Sequence, residues 1–229
     1  MSRIADNLKR VKERLALAAE RCGRSADEIF LVAVTKTRTV PEILEAIRAG
    51  VDIIGENRVQ EALAKYDQLH LPVRWHMVGH LQRNKVKHAL EIFELIHSVD
   101  SLRLAEEISR RVSDSGKTVD ILVQVNTSSE ESKFGILPDR AIELVESISS
   151  LKGIMIRGLM TIGPLVSNPE EARPCFARLR ELKEKIEGLR IPEVRMEVLS
   201  MGMTNDFEVA IEEGANMVRI GTAIFGPRG

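Results

Sequence analysis

The sequence predicts an α/β protein built as one (β/α)8 TIM barrel, and three observations carry that expectation. Eight short apolar runs rich in β-branched residues alternate with stretches of helical periodicity. That alternation calls for parallel strands joined by crossover helices. The 229 residues contain no Pro/Ser/Gly-rich linker, so the eight units read as a single domain over 1–229, near the roughly 250 residues typical of the fold. A doubly wound open sheet is the alternative, weakened because no GxGxxG follows the first strand.

The elements follow in order. Ile4, Leu8, Val11 and Leu15 recur at helical spacing before any strand, which predicts an extra N-terminal helix stopped by Gly23. Strands are expected at 29–35, 51–54, 74–78, 95–99, 119–125, 154–162, 195–199 and 216–220. Helices are expected at 41–49, 58–69, 82–93, 102–113, 139–151, 169–187 and 205–213. Pro41 suits a first helical turn, and Asp100-Ser101 and Pro138-Asp139 read as helix starts. Gly50, Gly153, Gly188 and Gly214 stand where helices should stop.

Composition narrows the function. Lys+Arg 33 against Asp+Glu 34 leaves a net charge of −1, which argues against a nucleic-acid footprint or a polybasic membrane anchor. Aromatic residues are 3% of the chain, too few for a base-stacking surface. No apolar run approaches the roughly 20 residues that span a bilayer. The charged N-terminus has no apolar core or cleavage signature, so a cytoplasmic location is expected. Cys22 and Cys175 lie far apart with no Cys or His at metal spacing, so two reduced thiols and no metal are expected.

A barrel carries its site at the C-terminal ends of its strands. Lys36 follows the first strand and alternation places it on one side with Val32 and Val34. At the rim of an apolar core an amine is desolvated, which favours the free form that Schiff-base chemistry with a carbonyl compound requires. Spacing alone leaves open a lysine that ends a strand and reaches water. The second signal is Arg219-Ile-Gly-Thr-Ala-Ile-Phe-Gly226. A strand ends at Gly221 and a short helical turn opens at Thr222, an arrangement that binds phosphate in many barrels. Ser200-Met-Gly-Met-Thr204, after the seventh strand, would add a hydroxyl and close backbone approach. A glycine turn that only closes the barrel fits the same pattern. His76 and His80 are four apart, but the segment reads as strand into loop, and no Glu follows His76, which argues against metal. Lys133 lies in the loop after the fifth strand, at the same rim.

These stretches are similar to one family throughout. They are Ala33-Val-Thr-Lys36, Gly55-Glu-Asn-Arg-Val-Gln-Glu61, Trp75-His-Met-Val-Gly-His-Leu-Gln-Arg-Asn-Lys85, Val123-Gln-Val-Asn126, Ser132-Lys-Phe-Gly135, Arg157-Gly-Leu-Met160, Leu199-Ser-Met-Gly-Met-Thr-Asn-Asp206 and Arg219–Gly226. In this order the chain resembles the pyridoxal phosphate homeostasis proteins, also described as alanine racemase N-terminal domain-like. The resemblance implies a fold-type III barrel, without the second β domain of the racemases, holding pyridoxal 5′-phosphate (PLP). Lys36 would carry the cofactor as a Schiff base. Ser200, Gly221 and Thr222 would hold its phosphate, with the backbone of Met201 and Gly202. Arg219 would face the pyridine nitrogen, Asn57 would lie beside the ring, and His80 would line the pocket. Lys133 corresponds to a family lysine that takes part in cofactor transfer. A second family lysine is Arg38 here, and a guanidinium is a poor transfer amine because it stays protonated.

The resemblance further implies a non-catalytic carrier that binds the cofactor reversibly, buffers it and delivers it to apo PLP-dependent enzymes. A PLP-dependent amino-acid racemase is the alternative, and a cofactor-free barrel aldolase using Lys36 is a third reading. Racemases use a second acid/base, commonly Tyr or Cys. Tyr66 sits on a helical stretch, expected on its apolar face, and neither Cys follows a strand. A monomer or weak dimer is expected.

Overall fold

The computed structural model describes residues 2–113, 116–128, 130 and 132–227. Eight parallel strands close into a barrel in sequence order. They are β1 (Phe30–Val34), β2 (Ile53–Glu56), β3 (Arg74–Met77), β4 (Leu95–Val99), β5 (Val119–Gln124), β6 (Ile154–Met160), β7 (Val194–Ser200) and β8 (Met217–Ile220). The ring closes where β1 pairs with β8, Val32 opposite Arg219. The helices are α1 (Arg3–Arg21), α2 (Val40–Arg48), α3 (Val59–Tyr66), α4 (Val86–Ile92), α5 (Leu102–Ser113), α6 (Ala141–Ser149), α7 (Arg173–Gly188), α8 (Phe207–Glu212) and α9 (Thr222–Phe225).

Strand alternation builds two cores. Val32, Ile53, Val78, Leu95, Leu122, Met160 and Met217 fill the barrel interior, with Val34 packed against them. Their odd neighbours Leu31 and Ala33 join the shell between strands and helices. Lys36 therefore continues the inward-facing side of β1, as alternation predicts.

The extra helix α1 starts at Ser2, whose hydroxyl accepts the Ala5 N–H at 3.3 Å. Its apolar stripe of Ile4, Leu8, Val11 and Leu15 is buried, and Gly23 ends it at φ 70°. It packs on α2, α8 and α9, so it covers the β8–β1 seam where the outer helices are shortest. Arg14 seals the contact with two hydrogen bonds to Glu208, at 2.9 and 2.8 Å.

Gly188 is the last residue of α7, where a stop was expected, and the left-handed residue beyond it is Arg190 at φ 51°. Two expectations are corrected. Asp139 caps nothing: Pro138 opens a 3-10 turn without a side-chain cap, and α6 begins at Ala141. Tyr66 is the last residue of α3 and is 42% exposed, its ring edge-on to Trp75 at 5.4 Å. A crossover helix runs antiparallel to its strands, so Tyr66 lies at the end of the barrel opposite the strand C-termini.

Candidate functional site at the C-terminal barrel mouth

Lys36, Arg219, Gly221 and Thr222 line one cavity of about 360 Å³, together with Val34, Met203, Thr204 and Asp206. That volume is the size of a small-ligand site. Lys36 is half-buried in a turn closed by the Arg38 N–H on the Thr35 carbonyl, 3.0 Å. Thr222 opens α9, whose Ile224 and Phe225 amides both bond the Gly221 carbonyl at 3.0 Å. The Ala223 amide donates to the Thr204 hydroxyl at 3.3 Å.

Arg219 is the electrostatic centre of the cavity. It rises from the interior face of β8 and is 5% exposed. Its guanidinium donates to Ser200 Oγ at 2.6 Å and to the Thr161 carbonyl at 2.7 Å. Both acceptors are neutral. Burial pulls its pKa down to about 10, partly offset by Asp206, so it stays a cation at neutral pH. A buried cation bonded only to neutral oxygens favours an electron-rich or anionic partner.

Ser200 continues the network downward. Its hydroxyl is fully buried and lies 3.0 Å from His97 Nδ1, and His97 Nε2 lies 3.0 Å from His76 Nδ1. Donor logic sets the direction of this chain. Arginine only donates, and every group of the chain is satisfied when the Ser200 proton goes to His97 Nδ1 and His97 donates from Nε2 to His76. Both rings are neutral: burial lowers the pKa of His76 to about 3 and that of His97 well below 6.5.

The remaining candidates are not in the cavity lining. The Ser200 hydroxyl is occupied by Arg219 and His97 beneath the cavity floor. The Met201 side chain is buried in the outer core, and its N–H is bonded to the Met217 carbonyl at 3.1 Å, so it has no amide to offer. Gly202 is required by packing: a Cβ there would lie 2.6 Å from that of Ala210. His80 stacks on Phe134 with ring centroids 4.1 Å apart, beside Asp100 at 3.8 Å. Asn57 is half-buried after β2, where its carbonyl runs 2.3 Å from the position a Gly79 Cβ would take. Lys133 donates to Glu130 at 2.7 Å and to the Gly163 carbonyl at 3.0 Å. Arg38 donates to the Gly226 carbonyl and to that of Pro227 at 3.2 Å, so it tethers the turn after α9.

Asp206 is the cavity residue that sequence reasoning missed. It is 5% exposed and accepts the Met203 N–H at 2.6 Å, which orders the loop after β7. Burial raises its pKa. The signal was its place at the end of the Leu199–Asp206 stretch. Among the described residues no cluster of three or more His, Cys, Asp or Glu is arranged to hold a metal ion.

A closed eight-stranded parallel barrel with a lysine after its first strand and a buried arginine on its last defines the class. The chain belongs to the family described as alanine racemase, N-terminal domain, which matches residues 3–229. It is 45% identical over 224 residues to the pyridoxal phosphate homeostasis protein of Aquifex aeolicus, covering 97% of each chain. It is 40% identical over 232 residues to the Escherichia coli K12 protein of the same name, covering all of this chain and 98% of that one. Among solved structures it resembles PipY of Synechococcus elongatus with PLP bound: TM-score 0.81, 36% identity, 94% of this chain and 100% of that one. Alanine racemase from Clostridium difficile shares the fold at 15% identity and TM-score 0.75, covering 97% of this chain and 56% of that one.

Proposed function

We propose that this protein serves intracellular PLP homeostasis: it binds the cofactor reversibly at the barrel mouth, buffers it and delivers it to apo PLP-dependent enzymes. The observation that carries the reading is the shared cavity of Lys36, Arg219 and Thr222. The donor set fits the group: an amine for its aldehyde, a fixed cation for its ring nitrogen, and the hydroxyl and backbone of Thr222 at the start of α9 for its phosphate. Bound PLP supplies an aldehyde and an electron-withdrawing ring. Lys36 holds the first, and Arg219 limits the second, because a cation beside the pyridine nitrogen disfavours its protonation. The name of the relatives and the cofactor in PipY support the same ligand.

The role is that of a carrier rather than a racemase. Tyr66 is at the wrong end of the barrel for a second acid/base, and Cys175 lies in α7 with its thiol pKa raised by burial. The working unit is a single barrel domain, cytoplasmic, acting as a monomer or weak dimer. No helix among the described residues is long and apolar enough to cross a membrane.

Purified protein mixed with PLP is expected to show the visible absorption of a lysine-linked cofactor, and Lys36→Ala is expected to lose it. Persistence of the band in Lys36→Ala would remove Lys36 from the site. Lys36-dependent exchange of amino-acid α-hydrogens at a physiologically useful rate would favour the racemase reading instead.

Delivery makes a second prediction. Lys133 stands at the rim, paired with Glu130, and we assign it to handing the cofactor outward. Lys133→Ala is expected to bind PLP as the wild type does but to transfer it severalfold more slowly to an apo-enzyme. Equal transfer rates would take Lys133 out of this role.

A further inference from the structure

Lys36 sits in a tight turn gripped from outside the barrel by buried Glu56 and Lys65 and the partly exposed Glu61. The turn spans residues 35–38, with Lys36 and Thr37 at its centre. Thr37 has φ 62°, a conformation that glycine or asparagine normally takes and that crowds a β-branched side chain. Glu61 holds it there: its Oε1 accepts the Thr37 N–H at 2.5 Å. Lys65 Nζ donates to that same oxygen at 2.7 Å, to Glu56 Oε1 at 2.7 Å and to the Thr35 carbonyl at 2.8 Å. All three ammonium donors are thereby used. The Thr35 hydroxyl closes the cluster by donating to Glu56 Oε1 at 2.7 Å. The residues on both sides of Lys36 are thus bonded to one ionic group carried by β2 and α3.

Glu56 is fully buried and Lys65 is 7% exposed. Buried ion pairs stabilise little more than apolar packing of the same volume and are better understood as devices that select one arrangement. Strained backbone next to a reactive side chain has the same meaning. None of the three lines the mouth cavity, so any effect on a ligand passes through Lys36.

Resting on the cofactor reading of Lys36, we propose that Glu61 and Lys65, with Glu56, are positioning residues that hold the Thr35–Thr37 backbone in the conformation aiming the Lys36 amine into the cavity. They set how well Lys36 captures an aldehyde without touching that aldehyde. Capture joins the Lys36 nitrogen to the aldehyde carbon and releases one water. The nitrogen attacks unprotonated, so its ammonium proton is first given to solvent. An amine held in line captures better than one sampling many directions.

Two ligands separate positioning from binding. PLP has the aldehyde, whereas pyridoxine 5′-phosphate has the same ring and phosphate with an alcohol in its place. The ratio of their affinities measures capture alone. Glu61→Ala is expected to lower this ratio about tenfold, the size of one charge-assisted hydrogen bond, with the alcohol bound within about twofold of wild type. Glu61→Gln keeps an Oε1 acceptor and is expected to restore most of the ratio. Thr37→Gly added to Glu61→Ala relaxes the turn and is expected to recover part of it. Hydrogen exchange at the Thr37 amide should speed up in Glu61→Ala in the absence of ligand. Affinities that fall together, or a ratio that does not move, overturn the proposal. A wild-type protein that binds the alcohol but shows no lysine-dependent absorption with PLP overturns the cofactor reading, and the positioning role with it.

Discussion

Lowering the pH from 7.5 to 5.0 is expected to remove about 2 kcal/mol of folding stability through His76 alone. In the unfolded chain this ring takes a proton near 6.5, and in the fold only near 3. The sign follows from proton counting. Between those values the unfolded state binds the proton and the native state does not, so stability falls as pH falls. The contribution is complete above 6.5 and is lost progressively down to about 3. The 1.5 units between 6.5 and 5.0, at about 1.4 kcal/mol each, give the figure. His97 acts in the same direction, because burial also holds it neutral. Asp206 and Glu56 act in the opposite direction, since burial raises both carboxyl groups. A difference measurement isolates the histidine. Urea unfolding of wild type and His76→Gln at both pH values should show about 2 kcal/mol less loss in the variant, whose amide oxygen still accepts from His97. Equal losses would mean that His76 is not held neutral by the fold.

This histidine chain also shows how far the sequence could be read. The strands were legible because a strand inside a barrel alternates between two apolar environments, and runs such as Leu31 to Val34 carry that period. Lys36 was legible for the same reason: it extends the Val32 and Val34 side one step past the strand. Gly221 and Thr222 were legible as a strand end running into a short helical turn, and Arg219 through the resemblance carried by the same stretch. Ser200 was found but its partners were not. Its acceptor and donor are His97 and Arg219, which lie 103 and 19 residues away and meet it only once the ring has closed. Met201 failed as an amide donor because register, not composition, decides which N–H groups a barrel leaves free. Glu61 stood only at the end of the Gly55–Glu61 stretch, and Lys65 was not singled out. Their role depends on how α3 docks against the turn after β1, and one sequence shows no periodicity for that.

Gly158→Ala is expected to destabilise the fold by about 3–5 kcal/mol, from overpacking and backbone strain together. Gly158 has φ 154°, which glycine adopts freely and alanine does not. A Cβ there would lie 1.9 Å from the Val198 carbonyl oxygen and 2.7 Å from its carbon. Those atoms are backbone, so no side-chain rotation relieves the overlap and β7 itself must move. The position is already irregular: the pairing of β6 with β7 shifts register between Ile156 and Gly158. The missing side chain is what lets the two strands approach there. The consequence reaches the site, because β7 ends at Ser200, which carries the hydroxyl that holds Arg219. Gly188→Ala is the matched control. It lies in the last turn of α7 with nothing within 4 Å of the added carbon, so alanine is expected to be neutral or to add up to about 1 kcal/mol. Urea midpoints of the two variants should therefore move apart. If Gly158→Ala unfolds at the wild-type midpoint, then β6 and β7 do not depend on this close approach, and Ser200 owes its placement beneath Arg219 to some other contact.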